Sequence, residues 1–153
     1  MTPLFKKLNL GDARVVHVLD APDSFEPEVR ALDDVEVLRT IEGPVAFAIA
    51  FVKTKAAVAA AAAALGAAAQ GDAVVWMAYP KGTSRKYTCE FNRDTGWQPL
   101  GDLGYEPVRQ VAIDDDWSAL RFRKADFIKT MTRNPAGAIS STGRRKAGER
   151  RQR

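Results

Sequence analysis

The chain has only one cysteine, Cys89, and one histidine, His17, among its 153 residues. A lone cysteine excludes a disulfide within the chain and also excludes a zinc site built from several cysteines. Cysteine usage of this kind is typical of proteins that stay in a reducing compartment.

Long hydrophobic runs are also absent. The longest apolar stretch, residues 56–69, is mostly alanine and falls short of the ~20 residues that a membrane-spanning helix needs. Residues 1–10 contain no apolar core of the length that a signal peptide requires. The sequence therefore predicts a cytoplasmic protein with no membrane segment.

The basic charge is unevenly distributed. The chain carries a formal net charge of +4, yet residues 133–153 contain seven basic residues and one acid, Glu149, so the residues before them carry −2. After Ile128 the composition shifts to Asn, Pro, Gly, Ser, Thr and Arg, a mixture that cannot bury a core. We predict one domain over residues 1–128 and a disordered basic tail over residues 129–153.

Apolar runs and helix-forming segments alternate along this domain. Residues 15–19 and 45–52 are near-continuous apolar runs, typical of parallel strands that are covered on both faces. An alanine-rich stretch follows Thr54 and predicts a long helix to about residue 69, with Thr54 as its N-cap. Shorter helices are predicted over residues 26–32 and 97–103. Their candidate caps are Ser24 for the first and Asn92 or Asp94 for the second.

The remaining apolar segments predict more strands, over residues 73–78, 108–113 and 117–123, besides a short one near residues 35–41. Strands separated by helices favour a parallel sheet with right-handed crossovers. The last two strands flank the turn at residues 114–116 and predict a hairpin at the sheet edge. The predicted fold class is α/β: a three-layer Rossmann-like sheet, mostly parallel with a C-terminal antiparallel hairpin.

Glycine is missing where a nucleotide-binding fold would need it most. The first long strand runs into Asp20 and residues 21–25, and no glycine lies between Gly11 and Gly43. The phosphate-binding turn of such folds uses glycine so that the backbone can approach the ligand closely. The sequence thus predicts the layout of a nucleotide-binding fold without its fingerprint.

Three phrases within residues 71–124 resemble a known family. They read Val75-Trp76-Met77-Ala78-Tyr79-Pro80-Lys81, Gly96-Trp97-Gln98-Pro99-Leu100 and Val111-Ala112-Ile113-Asp114-Asp115-Asp116-Trp117-Ser118-Ala119-Leu120-Arg121-Phe122. Together they resemble a small bacterial family catalogued as domain of unknown function 3052, over about residues 4–124. The resemblance implies a Rossmann-like layout and a bacterial cytosolic setting. It supplies no activity, catalytic residue or cofactor.

In open α/β sheets ligands bind beyond the carboxyl ends of the strands. Basic and aromatic residues are expected to meet at that edge, together with the amino end of the alanine helix, where backbone N–H groups form an anion seat. The candidate ligand-binding residues are Asp20, Lys53, Thr54, Tyr79, Lys81 and Arg85, with Lys55, Lys86 and Trp97 near them. The ligand would be a small anionic or nucleotide-like molecule. The alternative is a solvated basic loop over a structural sheet.

Other candidates have plainer interpretations. His17 could act as a general base, but its apolar neighbours favour a core position. Cys89 lies near Arg85 and Lys86, which could lower its pKa, although an ordinary thiol is the simpler prediction. The acids at residues 114–116 favour a solvated turn over a metal site. No catalytic or metal-binding residue is predicted.

Three functions fit these observations. The preferred one is a non-catalytic domain that binds a small ligand or a protein partner at the carboxyl-end rim, with no cofactor. The second is a degenerate nucleotide- or S-adenosylmethionine-dependent enzyme, methyltransferase-like, using Tyr79, Lys81 and Asp20, with Glu42 near the place where a ribose would be held. The third is non-specific association with nucleic acid through the tail. Its candidate residues are Arg144, Arg145, Lys146, Arg150 and Arg151.

Overall fold

The computed structural model describes residues 2–128 and Ile139. A six-stranded sheet forms the centre of the domain, with the strand order β2-β1-β3-β4-β6-β5. Strands β1 to β4 pair in parallel, and β6 is antiparallel to both of its neighbours. The strands are β1 (Val15–Leu19), β2 (Glu36–Leu38), β3 (Val45–Phe51), β4 (Ala69–Pro80), β5 (Tyr105–Ala112) and β6 (Trp117–Lys124).

Helices cover both faces of this sheet. They are α1 (Pro3–Lys7), α2 (Glu26–Arg30), α3 (Lys55–Ala68) and α4 (Gln98–Gly101), besides short 3-10 helices at Asp23–Phe25 and Ala125–Phe127. One core cluster joins α3 and α4 to the sheet, and a second joins α1 and α2 to the opposite face. The domain therefore has three layers, and the predicted α/β class with a mostly parallel sheet is confirmed.

Strand β3 shows why the layers form. Phe47 and Ile49 point toward α1 and α2, whereas Ala48 and Ala50 lie under the alanine helix α3, and all four side chains are buried. A strand that is apolar on both faces is stable only between two covering layers. Small side chains on both β3 and α3 bring the helix close to the sheet.

The strand order fixes the topological switch point. From β1 the chain crosses by α2 to β2 on one side, then returns to β3 on the other side of β1. The connection from β3 to β4 runs through α3 on the opposite face. Crossovers therefore leave β1 and β3 in opposite directions, and the gap between the carboxyl ends of these two strands is where such sheets bind ligands.

The hairpin lies at one edge of the sheet, as predicted. The returning strand β6 lies inside the sheet, between β4 and β5, so that β5 forms the edge. Burial gives the reason: residues 117–120 are all buried, whereas Arg109 and Gln110 on β5 are exposed. The more apolar strand of the hairpin takes the position that has a neighbour on each side.

Several element boundaries differ from the prediction. Residues 3–7, for which the sequence predicts no helix or strand, form α1, and the Thr2 hydroxyl caps it by accepting a hydrogen bond from the Phe5 N–H. Ser24 does not cap α2, because it lies inside the 3-10 turn that leads into the helix. Strand β4 starts directly after α3, so Gly71 stands within the strand, at a φ of +58°, rather than in a separate turn.

The helix expected over residues 97–103 is confined to α4. Its N-cap is Trp97, which makes no side-chain capping bond. Asn92 instead closes the preceding turn, where its Oδ1 accepts a hydrogen bond from the Asp94 N–H at 2.8 Å. The two predicted caps therefore belong to one tight turn.

Of the predicted tail, only Ile139 lies within the described residues. Its N–H donates to Glu106 Oε1 at 3.0 Å, and its carbonyl accepts from Gln98 Nε2 at 3.0 Å, so it packs against α4 and β5. The nucleic-acid candidates Arg144, Arg145, Lys146, Arg150 and Arg151 lie outside the described residues. In the described part of the chain, no helix is both long enough and apolar enough to cross a bilayer.

Candidate functional site

A cleft of about 630 Å³ lies at the switch point. The end of β1 forms one wall through residues 20–23, and the end of β3 contributes Phe51, Lys53 and Thr54. The loop after β4 and the start of β6 complete it with Lys86, Tyr87 and Trp117. The cleft therefore occupies the place that the topology alone assigns to a ligand.

Asp20 has an unusual backbone at the rim of this cleft. Its φ is +58°, in the left-handed region that glycine adopts without strain. The turn after β1 thus has the backbone conformation of a glycine turn, although the sequence supplies no glycine there. Aspartate is among the few other residues that adopt this conformation with any frequency, and here it also adds a carboxylate to the cleft wall.

Two lysines meet over one aromatic ring in the cleft. Lys53 Nζ and Lys86 Nζ each lie 5.5 Å from the centroid of the Tyr87 ring, within cation–π range. Within residues 2–128 and Ile139, neither ammonium group forms an ion pair. Two like charges close to one ring without a counter-ion favour an anion beside that ring, whereas Asp20 and Asp23 place negative charge on the wall formed by residues 20–23.

Trp117 lines the same cleft, beside Tyr87. Its ring packs against Tyr87 at 5.0 Å and edge-on against Phe51 at 5.1 Å. Its indole Nε1 is buried and has no hydrogen-bond partner among the described residues. A buried donor without a partner is uncommon, because leaving it unpaired costs about 1–3 kcal/mol.

The amino end of α3 borders the cleft, as the sequence predicts. Thr54 caps it, with Oγ1 accepting a hydrogen bond from the Ala57 N–H at 3.0 Å. A second acceptor comes from the chain itself, because Glu90 Oε1 lies 3.4 Å from the Lys55 nitrogen and accepts its hydrogen bond. Part of the predicted anion seat is therefore filled by a carboxylate of the protein.

A second cavity, of about 610 Å³, adjoins the first across Tyr87 and is lined by residues 79–84, Gln110 and Ser118 among others. Its loop is held in place by Asp116, whose carbonyl accepts a hydrogen bond from the Lys81 N–H at 2.8 Å and whose Oδ1 accepts one from Ser84 Oγ at 2.9 Å. This anchoring explains how a polar, glycine-containing loop keeps a defined shape.

Tyr79 and Trp97 are not accessible at the carboxyl-end edge, where the sequence predicts that aromatic and basic residues meet. Both are buried, and their rings pack edge-to-face at 5.5 Å, with Phe91 against each of them. Only the edge of Tyr79 reaches the second cavity, where Gln110 Nε2 donates to its hydroxyl at 3.0 Å. Burial raises the pKa of Tyr79, so the phenol stays neutral.

The structure therefore divides the predicted site residues. Asp20, Lys53 and Thr54 line the switch-point cleft, whereas Tyr79 and Lys81 line the second cavity. Arg85 is exposed and lines neither of them. Tyr87 and Trp117 also line the cleft but are not among the predicted site residues. A possible signal for Tyr87 is its place directly after Arg85 and Lys86, as an aromatic residue among cations.

The other candidates fall into structural roles. His17 is fully buried in β1, as expected for a core residue, with Nε2 3.4 Å from the Glu42 carbonyl and no partner for Nδ1 among the described residues. Glu42 is not among the residues that line the cleft. Burial raises the pKa of Cys89, which agrees with an ordinary thiol. Asp114 closes a turn, accepting hydrogen bonds from the N–H groups of residues 116 and 117.

Comparisons with known proteins assign no family to the chain. No protein-family model matches the chain, and no curated protein matches it. Among solved structures, the pyocyanin biosynthetic protein PhzM aligns with a TM-score of 0.47 and 12% identity, over 76% of this chain and 52% of PhzM. The N-methyltransferase NodS from Bradyrhizobium japonicum WM9 aligns with the same TM-score and identity, over 79% of this chain and 92% of NodS.

The chain thus spans about half the length of PhzM. Similarity at this level says nothing about ligands, and the fold assignment depends on this chain's own strand order and two-sided core. The resemblance to domain of unknown function 3052 stays a prediction.

Proposed function

We propose that this domain binds a small anionic molecule in the switch-point cleft. The observation that carries the proposal is that the ammonium groups of Lys53 and Lys86 both lie over the Tyr87 ring on the cleft wall. Neither group forms an ion pair among the described residues. The two lysines would bind the anionic group of the ligand. Asp20 would accept a hydrogen bond from a hydroxyl or amino group of the ligand, and Trp117 lines the cleft beside Tyr87.

The proposal is tested by ligand-induced stabilisation of the full chain. The panel consists of nucleotides, S-adenosylmethionine, nicotinamide and flavin cofactors, and coenzyme A. A ligand at ~100 times its dissociation constant adds about 2.7 kcal/mol to the free energy of unfolding, which raises Tm by several degrees. Isothermal titration of any compound that raises Tm then gives its affinity.

Matched lysine variants locate the binding. Lys53→Gln and Lys86→Gln should each reduce the shift, because each removes one charge from the Tyr87 ring. Lys55→Gln removes the same charge from an exposed position that is not among the lining residues, and should leave the shift unchanged. If no compound raises Tm, or if the Lys53 and Lys86 variants respond as the unaltered chain does, the proposal is wrong.

A second candidate is a nucleotide- or S-adenosylmethionine-dependent enzyme. It is favoured by Asp20, whose left-handed backbone gives the turn after β1 the conformation of a glycine turn. Tyr79 and Lys81 line the adjoining cavity, where a second substrate could lie beside the bound compound. S-Adenosylmethionine or a nucleotide should then bind, and Asp20→Asn should weaken that binding. Saturable binding that is unaffected by Asp20→Asn would exclude this arrangement.

A further inference from the structure

Three arginines share one face of the β5–β6 hairpin, far from the switch-point cleft. Arg109 on β5 lies directly opposite Arg121 on β6, and Arg123 follows two residues later on the same face of β6. Like charges directly opposite each other on paired strands destabilise a sheet. An arrangement with this cost calls for a compensating anion.

Among the described residues, only Arg123 of the three arginines has a carboxylate partner. Asp72 forms a close pair with Arg123, in which both carboxylate oxygens accept hydrogen bonds at 2.6–3.1 Å. The other nearby acid, Glu106, lies opposite Arg123 in the strand register, is buried, and accepts a hydrogen bond from the Ile139 N–H. Neither carboxylate pairs with Arg109 or Arg121, and these two arginines form no ion pair among the described residues.

The Nε atom of Arg121 is buried, yet it has no hydrogen-bond partner within the described part of the chain. Burial lowers the pKa of Arg121 from its ordinary value; the charges of Arg123 and Arg109 act in the same direction, and the charge of Asp72 offsets them only in part. The guanidinium group of Arg121 is thus partly buried and has no acceptor for its Nε. This is unusual, because the donors of a guanidinium group normally form several hydrogen bonds at once.

We infer that Arg109 and Arg121 form a binding site for a phosphate-bearing ligand. A phosphate group carries the negative charge that the pair lacks, and its oxygens match the planar fork of a guanidinium group in bidentate hydrogen bonds. The ligand is either a free phosphate compound or the backbone of a nucleic acid, because both present this group. The site lies toward the amino ends of the parallel strands, so it is independent of the ligand proposed for the cleft.

The test uses the full chain titrated with inorganic pyrophosphate by calorimetry. Arg109→Gln and Arg121→Gln should each weaken binding by about tenfold or more, the effect of losing a hydrogen bond to a charged group. Arg30→Gln, an equal charge change on an exposed position of α2, should leave the affinity unchanged. In a Lys53→Gln background, where one lysine of the cleft is removed, Arg109→Gln should still weaken pyrophosphate binding by the same factor, which separates this site from the proposed function.

A second readout is the stability without ligand. Arg109→Gln should raise Tm in phosphate-free buffer, because it removes the like charge opposite Arg121, while the same variant loses pyrophosphate binding. Arg109 is exposed, so this variant decides the matter even if Arg121→Gln does not fold. The inference is overturned if the unaltered chain shows no saturable binding up to ~10 mM, or if both arginine variants bind as it does.

A single-stranded oligonucleotide separates the two ligand sources. A tail variant with glutamine at Arg144, Arg145 and Lys146 measures what the tail contributes. If oligonucleotide binding falls in the Arg109 and Arg121 variants and persists in the tail variant, the ligand is a nucleic acid backbone. If only pyrophosphate binding responds to the arginine variants, the ligand is a free phosphate compound.

Discussion

Trp76 Nε1 donates a buried hydrogen bond to the carbonyl of Leu8, 68 residues earlier, at 2.8 Å. This bond fastens the end of α1 to the middle of the sheet, where Trp76 is fully buried. It explains how a five-residue helix, too short to be stable by itself, keeps a fixed place in the outer layer.

Trp76→Phe should therefore lower the free energy of unfolding by about 2–4 kcal/mol, through lost packing and an unsatisfied Leu8 carbonyl. Trp117→Phe is the matched control, since its indole N–H has no partner to lose among the described residues. Urea unfolding followed by circular dichroism measures both. A Trp117 variant that loses more stability than the Trp76 variant would contradict this account of α1.

Asp20 allows a test of backbone strain at the cleft. Asp20→Ala should destabilise the domain by about 1 kcal/mol, because an alanine Cβ is disfavoured at a φ of +58°. Asp20→Gly should be neutral or stabilising by up to about 1 kcal/mol. The control is Asp33→Gly, at a position without positive φ, where the added freedom of the unfolded chain should destabilise. Equal losses for the two Asp20 variants would show that the carboxylate matters and the backbone does not.

The Asp72–Arg123 pair predicts a pH dependence of stability. The hydrogen bond from Arg123 lowers the pKa of Asp72 below its ordinary value of 3.8. A carboxyl group with a lower pKa in the folded chain contributes stability above its unfolded pKa and loses it as the pH falls through the folded pKa. Because the pair is about one-third exposed, Asp72→Asn should cost less than about 1 kcal/mol at neutral pH.

The difference between the Asp72→Asn variant and the unaltered chain should shrink below about pH 4 and vanish once the carboxyl is protonated. Chemical unfolding at neutral pH and at about pH 2 measures it. Asp33→Asn, with no ion pair among the described residues, should show no such change. A gap that stays constant over this range would mean that the charge of Asp72 contributes nothing.

Two helical glycines should respond to alanine in opposite directions. At Gly66 an added Cβ would meet only the end of the Leu103 side chain, which is half-exposed and can move. Gly66→Ala should therefore stabilise α3 by up to about 1 kcal/mol. At Gly101 the added Cβ would meet the backbone of Ile139, which cannot shift without losing its hydrogen bonds.

Gly101→Ala should thus release Ile139 from α4 and β5. Limited proteolysis after this residue should become faster in Gly101→Ala than in Gly66→Ala, with thermal unfolding recording the stability of each variant. The packing of Ile139 would be refuted if the two variants were cleaved at the same rate.

Elements governed by neighbouring residues could be predicted from the sequence. The alanine helix with its Thr54 cap, the buried strand β3 and the turn closed by Asp114 all depend on local propensity or short-range hydrogen bonds, and all three are present. The predicted placement of a cleft at the carboxyl ends of the strands followed from the alternation of strands and helices.

Contacts between distant residues decided the rest. Strand β6 takes its inner position by pairing with β4, which lies far from it in the sequence. Tyr79 is buried by Phe91 and Trp97. Glu90 accepts a hydrogen bond at the start of α3, 35 residues earlier.

The sequence shows that the turn after β1 has no glycine, but it does not predict that Asp20 takes a left-handed backbone there. The sequence by itself determined the buried strands of the sheet and the alanine helix, because these depend on local periodicity and helix propensity. Tertiary packing decided the place of the short helix α1, which the bond from Trp76 to Leu8 holds. It also decided which side chains face the cleft, because this depends on strand order and register.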